Sequence, residues 1–424
     1  MVTALQSAYH PSRRARWAEG QPISLLMARA LENPDLISLA AGFVDNATLP
    51  AEPVKQAIEA LMADPGEARA ALQYGTTPGD PELREILLER ARRADGLDHC
   101  PPIEQIVVTA GSNQLLQLVS ESLLDPGDIV LCTAPSYFVY LGMLAGIGAR
   151  AIGVARDDSG MIPEALSETL ERLEAAGELD RVKAVYLVPY FDNPGGVTMP
   201  IERRAAVVEM AKRWSQHGRI HVISDEAYRQ LRYDGDDVPS TRACDSEGDT
   251  VVVTDTFSKS FSPGIRVGWG ILPPHLVGPV NDQKGNADFG SPHFNQRLMA
   301  KVLALGLFEP HVEHVRNEYR KKLKAMLDAA DRYLGPLGDV EWFSPSGGLY
   351  LWVRLPELMD AGMDGRLFET ALRKGVLYVP GQYCYASEGE PVMRNTIRLS
   401  FGVQSCEKIR EGVEKLSRAI ADAR

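Results

Sequence analysis

The chain has 424 residues, 45% of them hydrophobic and 24% charged, the balance of a globular protein and long enough for more than one hydrophobic core. A formal net charge of −12 argues against binding nucleic acid or an anionic membrane through bulk electrostatics, and no apolar stretch approaches the length of a membrane span. The five cysteines, Cys100, Cys132, Cys244, Cys384 and Cys406, are odd in number, scattered and without C-x-x-C spacing, which favours reduced thiols in a cytoplasm over disulfides or a zinc site.

The first segment, up to Trp17, carries arginines and no acid before Glu19. It has a faint transit-peptide character, but a flexible arm that docks late is the preferred reading, with Gln21-Pro-Ile-Ser opening the first long helix. From about residue 100 to 275 strands and helices alternate. Strands are expected near 106–109, 129–133, 150–154, 183–188, 220–224, 251–255 and 267–272, with helices such as Ile201–Gln216 between them. That rhythm predicts a mostly parallel α/β sheet.

Within it, Ile106-Val-Val-Thr-Ala-Gly-Ser-Asn-Gln reads as strand, glycine turn, helix. Gly111, Ser112 and Asn113 would stand at the helix N-terminus, where unpaired N–H groups favour an anion. The pattern is neither a Walker loop nor a dinucleotide fingerprint. Tyr137 follows the next strand and could stack on a ring, although such a tyrosine is more often packing. Asp225 ends the strand of Ile220-His-Val-Ile-Ser-Asp-Glu-Ala-Tyr228, at the carboxyl end where open α/β sheets bind ligands. A helix N-cap and a partner for a protonated ring nitrogen are equally good readings of it. Tyr228 lies near enough to act beside it if the chain turns there.

The most specific string is Thr254-Asp-Thr-Phe-Ser-Lys-Ser-Phe-Ser-Pro-Gly-Ile-Arg-Val-Gly-Trp269. The apolar run Val251-Val-Val delivers it from a buried strand. The amine of Lys259 can attack a carbonyl to form a Schiff base, and Arg266 presents a planar fork suited to a phosphate. An aldehyde that also bears a phosphate is pyridoxal 5′-phosphate. Gly235–Asp249 reads as an exposed loop. His311 and His314 share a helix face, but lack a third ligand, so they read as surface residues and no metal is expected. A long helix is expected from Glu309 to about Leu334, then a strand at Gly347-Gly348, a helix near 365–374, two short strands and a last helix. In Thr396-Ile-Arg-Leu-Ser-Phe401 the alternation is that of a half-buried strand.

These pieces together resemble class I/II aminotransferases of fold type I, in the branch of 2-aminoadipate, aromatic and valine–pyruvate transaminases. The resemblance rests on Ala41-Gly42, Gln73-Tyr-Gly75, Gly111-Ser-Asn113, Pro135-Ser-Tyr137, Asn193-Pro-Gly-Gly196, Asp225-Glu-Ala-Tyr228, Ser258-Lys259 with Pro263-Gly-Ile-Arg266, Gly347-Gly-Leu-Tyr-Leu-Trp352 and Asn395-Thr-Ile-Arg398. It runs from about residue 20 to the C-terminus.

It implies a large domain over 46–309 with a mostly parallel sheet. It also implies a smaller α+β domain built from 1–45 and 310–424, with the site between the two. Lys259 would be the Schiff-base lysine, Asp225 the partner of the pyridine nitrogen, and Asn193 and Tyr228 the donors to O3′. Thr256, Ser258, Arg266, Ser112 and Asn113 would hold the phosphate beside Gly111, and Tyr137 would stack on the ring. Tyr74 would reach the neighbouring subunit's phosphate, implying a homodimer with shared sites. Arg398, with Gly42 and Asn193, would bind the substrate carboxylate. The implied activity is transfer of an amino group from an L-amino acid to a 2-oxo acid, 2-oxoglutarate or pyruvate, by a ping-pong route in amino-acid metabolism or biosynthesis.

A lyase or decarboxylase sharing the cofactor is the first alternative, and a ligand-sensing module the second. Relatives usually carry Gln before the Asn-Pro pair and Thr or Ser after it. Asp192 and Gly195 stand there instead, an added carboxylate expected either to alter substrate preference or to face solvent.

Overall fold

The computed structural model describes residues 10–20, 33, 35–97 and 100–424. The expected helix at Gln21-Pro-Ile-Ser lies outside the described residues. Residues of the N-terminal segment that are described form a short helix, Arg13–Trp17. It packs against the helix Phe138–Ile147. The Trp17 ring lies so close over Gly148 that a Cβ there would come within 2.6 Å of it.

The main sheet contains β1 (Ile106–Thr109), β2 (Ile129–Ala134), β3 (Arg150–Asp157), β4 (Val182–Leu187), β5 (His221–Asp225), β6 (Val251–Thr256) and β7 (Gly268–Ile271). Their order across the sheet is β3-β2-β4-β5-β6-β7-β1, with the two-residue strand Glu388–Gly389 on the β3 edge. Along this order all pairs are parallel except those made by β7, which runs antiparallel to both neighbours; off it, Gly160–Met161 folds back antiparallel on the end of β3. This is a mixed α/β fold with a mostly parallel central sheet, as the alternating pattern predicts.

β1, β2 and β6 are apolar runs rich in β-branched residues, as strands buried on both faces require. Successive side chains enter different cores. Ile129 and Leu131 join the cluster containing Val207 and Leu298, whereas Val130 and Cys132 join the one containing Leu116 and Leu144. The parallel strands end together at Ala134, Leu187, Asp225 and Thr256, so residues from distant parts of the sequence meet at one sheet edge.

After the helix Phe308–Ala329 a short π turn, Ala330–Leu334, leads to Gly335–Leu337. A four-stranded antiparallel sheet follows, in the order Glu341–Trp342, Tyr350–Arg354, Thr396–Ser400, Val379–Pro380. The segment Ile37–Ser38 pairs in parallel with Val376–Leu377. Ile37 and Leu39 enter the same apolar cluster as the final helix, Cys406–Ala423.

Three expectations need correction. His311 is buried, not a surface residue. Its ring packs edge-on against Phe261 at 5.1 Å, and burial holds its pKa down to about 4; His314, one turn on, is exposed as expected. The segment 235–249 is exposed only in part. A 3-10 turn, Thr241–Cys244, buries Thr241 and Arg242, and the Asp245 carboxylate accepts from the Thr250 and Val251 amides at the entry to β6. Gly347 and Gly348 precede their strand instead of forming it. A Cβ at either would lie within 2.7 Å of Phe191, so the absent side chains make room for that ring.

Candidate active site

Lys259, Asp225, Asn193 and Arg398 line one cavity of about 330 Å³ at the carboxyl ends of β4, β5 and β6. A second cavity of about 440 Å³ adjoins it at Thr256. Its charged side chains include Arg229, paired with Asp95 and Asp237, and Arg90, paired with Glu309. The smaller cavity is the one in which amine, carboxylate and guanidinium converge.

Lys259 sits on a single helical turn, Phe257–Ser260, that begins where β6 ends. Its Nζ donates to the Gly42 carbonyl at 2.8 Å. Gly42 carries no side chain because a Cβ would lie 2.6 Å from the Tyr350 hydroxyl. On the same turn the Thr256 and Ser258 hydroxyls are 2.8 Å apart, and Thr256 Oγ1 accepts from the Ser258 amide.

Arg266 reaches back toward this turn from a left-handed backbone, φ 53. Its guanidinium donates to Ser258 Oγ at 3.4 Å, to the Pro263 carbonyl and to the Ala110 carbonyl. A Cβ on Gly111 would lie 2.5 Å from Arg266 Nη2, and one on Gly268 would meet the Gly111–Ser112 peptide at 2.5 Å. The helix Ser112–Leu123 starts there with no side-chain cap. Its first amides therefore stand beside two hydroxyls and an arginine, the donor set a phosphate requires.

Asp225 is buried at the end of β5. Its Oδ2 accepts from the Tyr186 hydroxyl at 2.9 Å and its Oδ1 from the Ala227 amide at 3.3 Å. No helix follows Asp225, so the helix N-cap reading does not hold; its carboxylate caps a turn instead, which leaves it available as a ring partner. Burial pushes its pKa up to about 6, although the Tyr186 hydroxyl works in the opposite direction. A buried carboxylate with this environment is suited to a cationic partner.

Tyr228 follows on a turn, its hydroxyl 3.2 Å from that of Tyr350, and burial raises its pKa well above the usual phenol value. Tyr137 also lines the cavity. Its hydroxyl interacts with the Asn113 side chain, and burial raises its pKa too.

Arg398 comes from the antiparallel sheet, opposite Trp352 on one side and Val379 on the other. It is 2% exposed. Nη1 donates to Asn193 Oδ1 and Nη2 to the Ala40 carbonyl, both at 2.8 Å, and the guanidinium lies 4.3 Å over the Tyr350 ring. Its Nε is buried without a partner among the described residues. A buried guanidinium facing a cavity with a donor unused is suited to an incoming carboxylate.

Two expected site residues do not line the cavity, Gly111, which lies against Arg266 at its rim, and Tyr74. Tyr74 is 81% exposed, with its ring edge-on to the exposed Phe289 at 5.6 Å.

Asp192 neither faces solvent nor lines this cavity. It is buried behind Asn193, its Oδ2 accepting from Arg156 Nη1 at 2.6 Å. Burial raises its pKa, and Arg156 opposes that shift. Sequence reading assigned no role to Tyr186, Tyr350 or Arg156. Tyr350 stands inside a quoted motif. For Tyr186 the only signal is a phenol within the apolar, buried run Ala184–Leu187.

Over residues 34–416 the chain matches the model of the class I and II aminotransferases. It is 35% identical to aromatic-amino-acid aminotransferase 1 of Thermococcus litoralis over 398 residues, covering 93% of this chain and 90% of that protein. With the 2-aminoadipate transaminase of Thermus thermophilus it shares 33% identity, over 93% of this chain and 92% of the other. Its fold matches a crystal structure of Pyrococcus horikoshii kynurenine aminotransferase in complex with PMP. The TM-score is 0.89 and the identity 33%, with 100% of this chain and 99% of that one covered.

Proposed function

The chain belongs to the class I and II aminotransferases, a pyridoxal-phosphate enzyme that transfers amino groups, and on that premise we propose that the cavity around Lys259 is its active site. The donor is an L-amino acid and the acceptor a 2-oxo acid such as 2-oxoglutarate or pyruvate, used in turn at one site. The observation that carries this reading is the convergence of Lys259, Asp225 and Arg398 on one cavity from three separate stretches of sequence.

Pyridoxal phosphate, when bound, supplies an aldehyde and an electron-withdrawing ring. Ser112, Asn113, Thr256, Ser258 and Arg266 would hold its phosphate beside Gly111, Tyr137 would stack on the ring, and Asn193 and Tyr228 would donate to O3′. Asp225 would keep the ring nitrogen protonated by offering it a buried carboxylate. Arg398 orients the substrate carboxylate, with Asn193 and Gly42 beside it. Lys259 would hold the aldehyde, and its Nζ would serve as the base for the proton on the substrate Cα.

The finer assignments belong to the same proposal. Tyr74 reaches the phosphate of a partner subunit in a homodimer, a reading supported by its exposed aromatic contact with Phe289. Residues 46–309 form the cofactor-binding domain, and 1–45 with 310–424 the smaller one; pairing of Ile37–Ser38 with Val376–Leu377 supports that division. The described residues contain no helix long and apolar enough to cross a membrane, and we place the enzyme in the cytoplasm.

The test is a half-reaction. Given an amino-acid donor alone, the purified holoenzyme should convert its cofactor stoichiometrically to the amine form, and 2-oxoglutarate or pyruvate should restore the aldehyde form. Continuous product release without any acceptor would mean lyase chemistry on the same residues.

A further inference from the structure

We propose that Arg156, Asp192 and Gly195 act as one positioning unit that fixes Asn193 and, through it, the carboxylate-binding orientation of Arg398; this rests on the reading of that cavity as the active site.

The turn from Asp192 to Val197 is closed by Asp192 itself. Its Oδ1 accepts from the Val197 amide at 2.7 Å, its own amide donates to the Val197 carbonyl at 2.9 Å, and its carbonyl accepts from the Gly196 amide at 2.7 Å. The remaining carboxylate oxygen is taken by Arg156. Asn193 is the next residue along, 3% exposed, and its Oδ1 is the acceptor for Arg398 Nη1.

Gly195 shows why the three residues belong together. A Cβ there would lie 2.2 Å from Arg156 Nη1 and 2.7 Å from its Cζ. Gly195 is not among the glycines with positive φ, so its backbone accepts any residue. What excludes a side chain is the guanidinium. That guanidinium cannot swing aside freely, because both partners of the ion pair are about 10% exposed. Moving it would leave a buried carboxylate without its counter-charge. Asp192 therefore requires Arg156, and Arg156 requires glycine at 195. A side chain at 195 breaks the pair and releases the turn that carries Asn193. The two departures from the expected motif are in this view one structural change.

The experiment compares Gly195→Ala with the combined variant Arg156→Ala, Asp192→Asn, Gly195→Ala. The combined variant removes the charge that needs Arg156 while keeping an acceptor for the Val197 amide. Gly195→Ala alone should lower the thermal midpoint of the cofactor-free protein. In the holoenzyme it should raise KM for amino acid and 2-oxo acid together by about tenfold with a smaller change in kcat, and shift the pH titration of the cofactor absorbance. The combined variant should return both KM values to within about threefold of the unmodified protein.

If Gly195→Ala lowers the midpoint but leaves both KM values unchanged, the unit is merely structural and the inference fails. It fails equally if the combined variant is no better than the single one. Should Gly195→Ala not fold, Asp192→Asn alone must give the same paired rise in KM, and unchanged values there overturn the proposal. An unmodified protein that never transfers an amino group would instead sink the active-site reading.

Discussion

Lys259→Ala should yield a folded protein whose amino-group transfer is lower by several orders of magnitude. Lys259 is the group that both holds the aldehyde and moves the substrate proton, so truncation removes a nucleophile and a base at once. The fold has little reason to notice. In the cavity its Nζ makes one hydrogen bond among the described residues, to the Gly42 carbonyl, and its neighbours Phe257 and Phe261 make the apolar contacts with Phe308 that anchor the turn. The thermal midpoint of the cofactor-free variant should therefore stay within a few degrees of the unmodified protein. The phosphate cradle is untouched, so the cofactor should still bind noncovalently. Turnover at the normal rate would show that another amine does the chemistry.

Asp225→Asn should separate stability from activity. In the cofactor-free protein burial raises the Asp225 pKa to about 6. Folded protein then holds this proton more tightly than unfolded chain. The contribution of Asp225 is therefore most favourable at acid pH and is lost as pH rises from the ordinary aspartate range through about 6, by at most about 3 kcal/mol. Asparagine has nothing to titrate and can still accept from the Tyr186 hydroxyl. The cofactor-free variant should be at least as stable as the unmodified protein at pH 8, without the decline through pH 6. Its kcat should nonetheless fall by orders of magnitude, since a neutral amide cannot favour the protonated ring nitrogen. Thermal melts across pH on both proteins, with kcat measured alongside, check the two halves. A kcat near that of the unmodified protein would mean that another residue holds the nitrogen.

Much of this site was legible because its chemistry sits at strand ends. Asp225, Thr256 and Arg398 each belong to a β-branched or alternating run that announces a strand, and Gly111 and Lys259 follow such runs directly. Local pattern is enough to place residues of that kind. Contacts that depend on how strands are ordered across the sheet are not readable in that way. Tyr186 reaches Asp225 only because β4 lies beside β5 with Tyr186 opposite Ile223. Arg156 meets Asp192 only because the end of β3 lies against the turn that follows β4. His311 looked like a surface residue on a polar helix, yet the first turn of that helix is pressed against Phe261. The loop at 235–249 has the composition of an exposed segment, but the demand of Thr250 and Val251 for a hydrogen-bond acceptor draws Asp245 inward.

The central claim is that Lys259 is the residue that carries the cofactor. Borohydride reduction of the holoenzyme, followed by proteolysis and mass spectrometry of the peptides, tests it most directly. The label should be found on the peptide containing Lys259 and nowhere else. Stoichiometric label on a different lysine would contradict the assignment of this cavity as the active site.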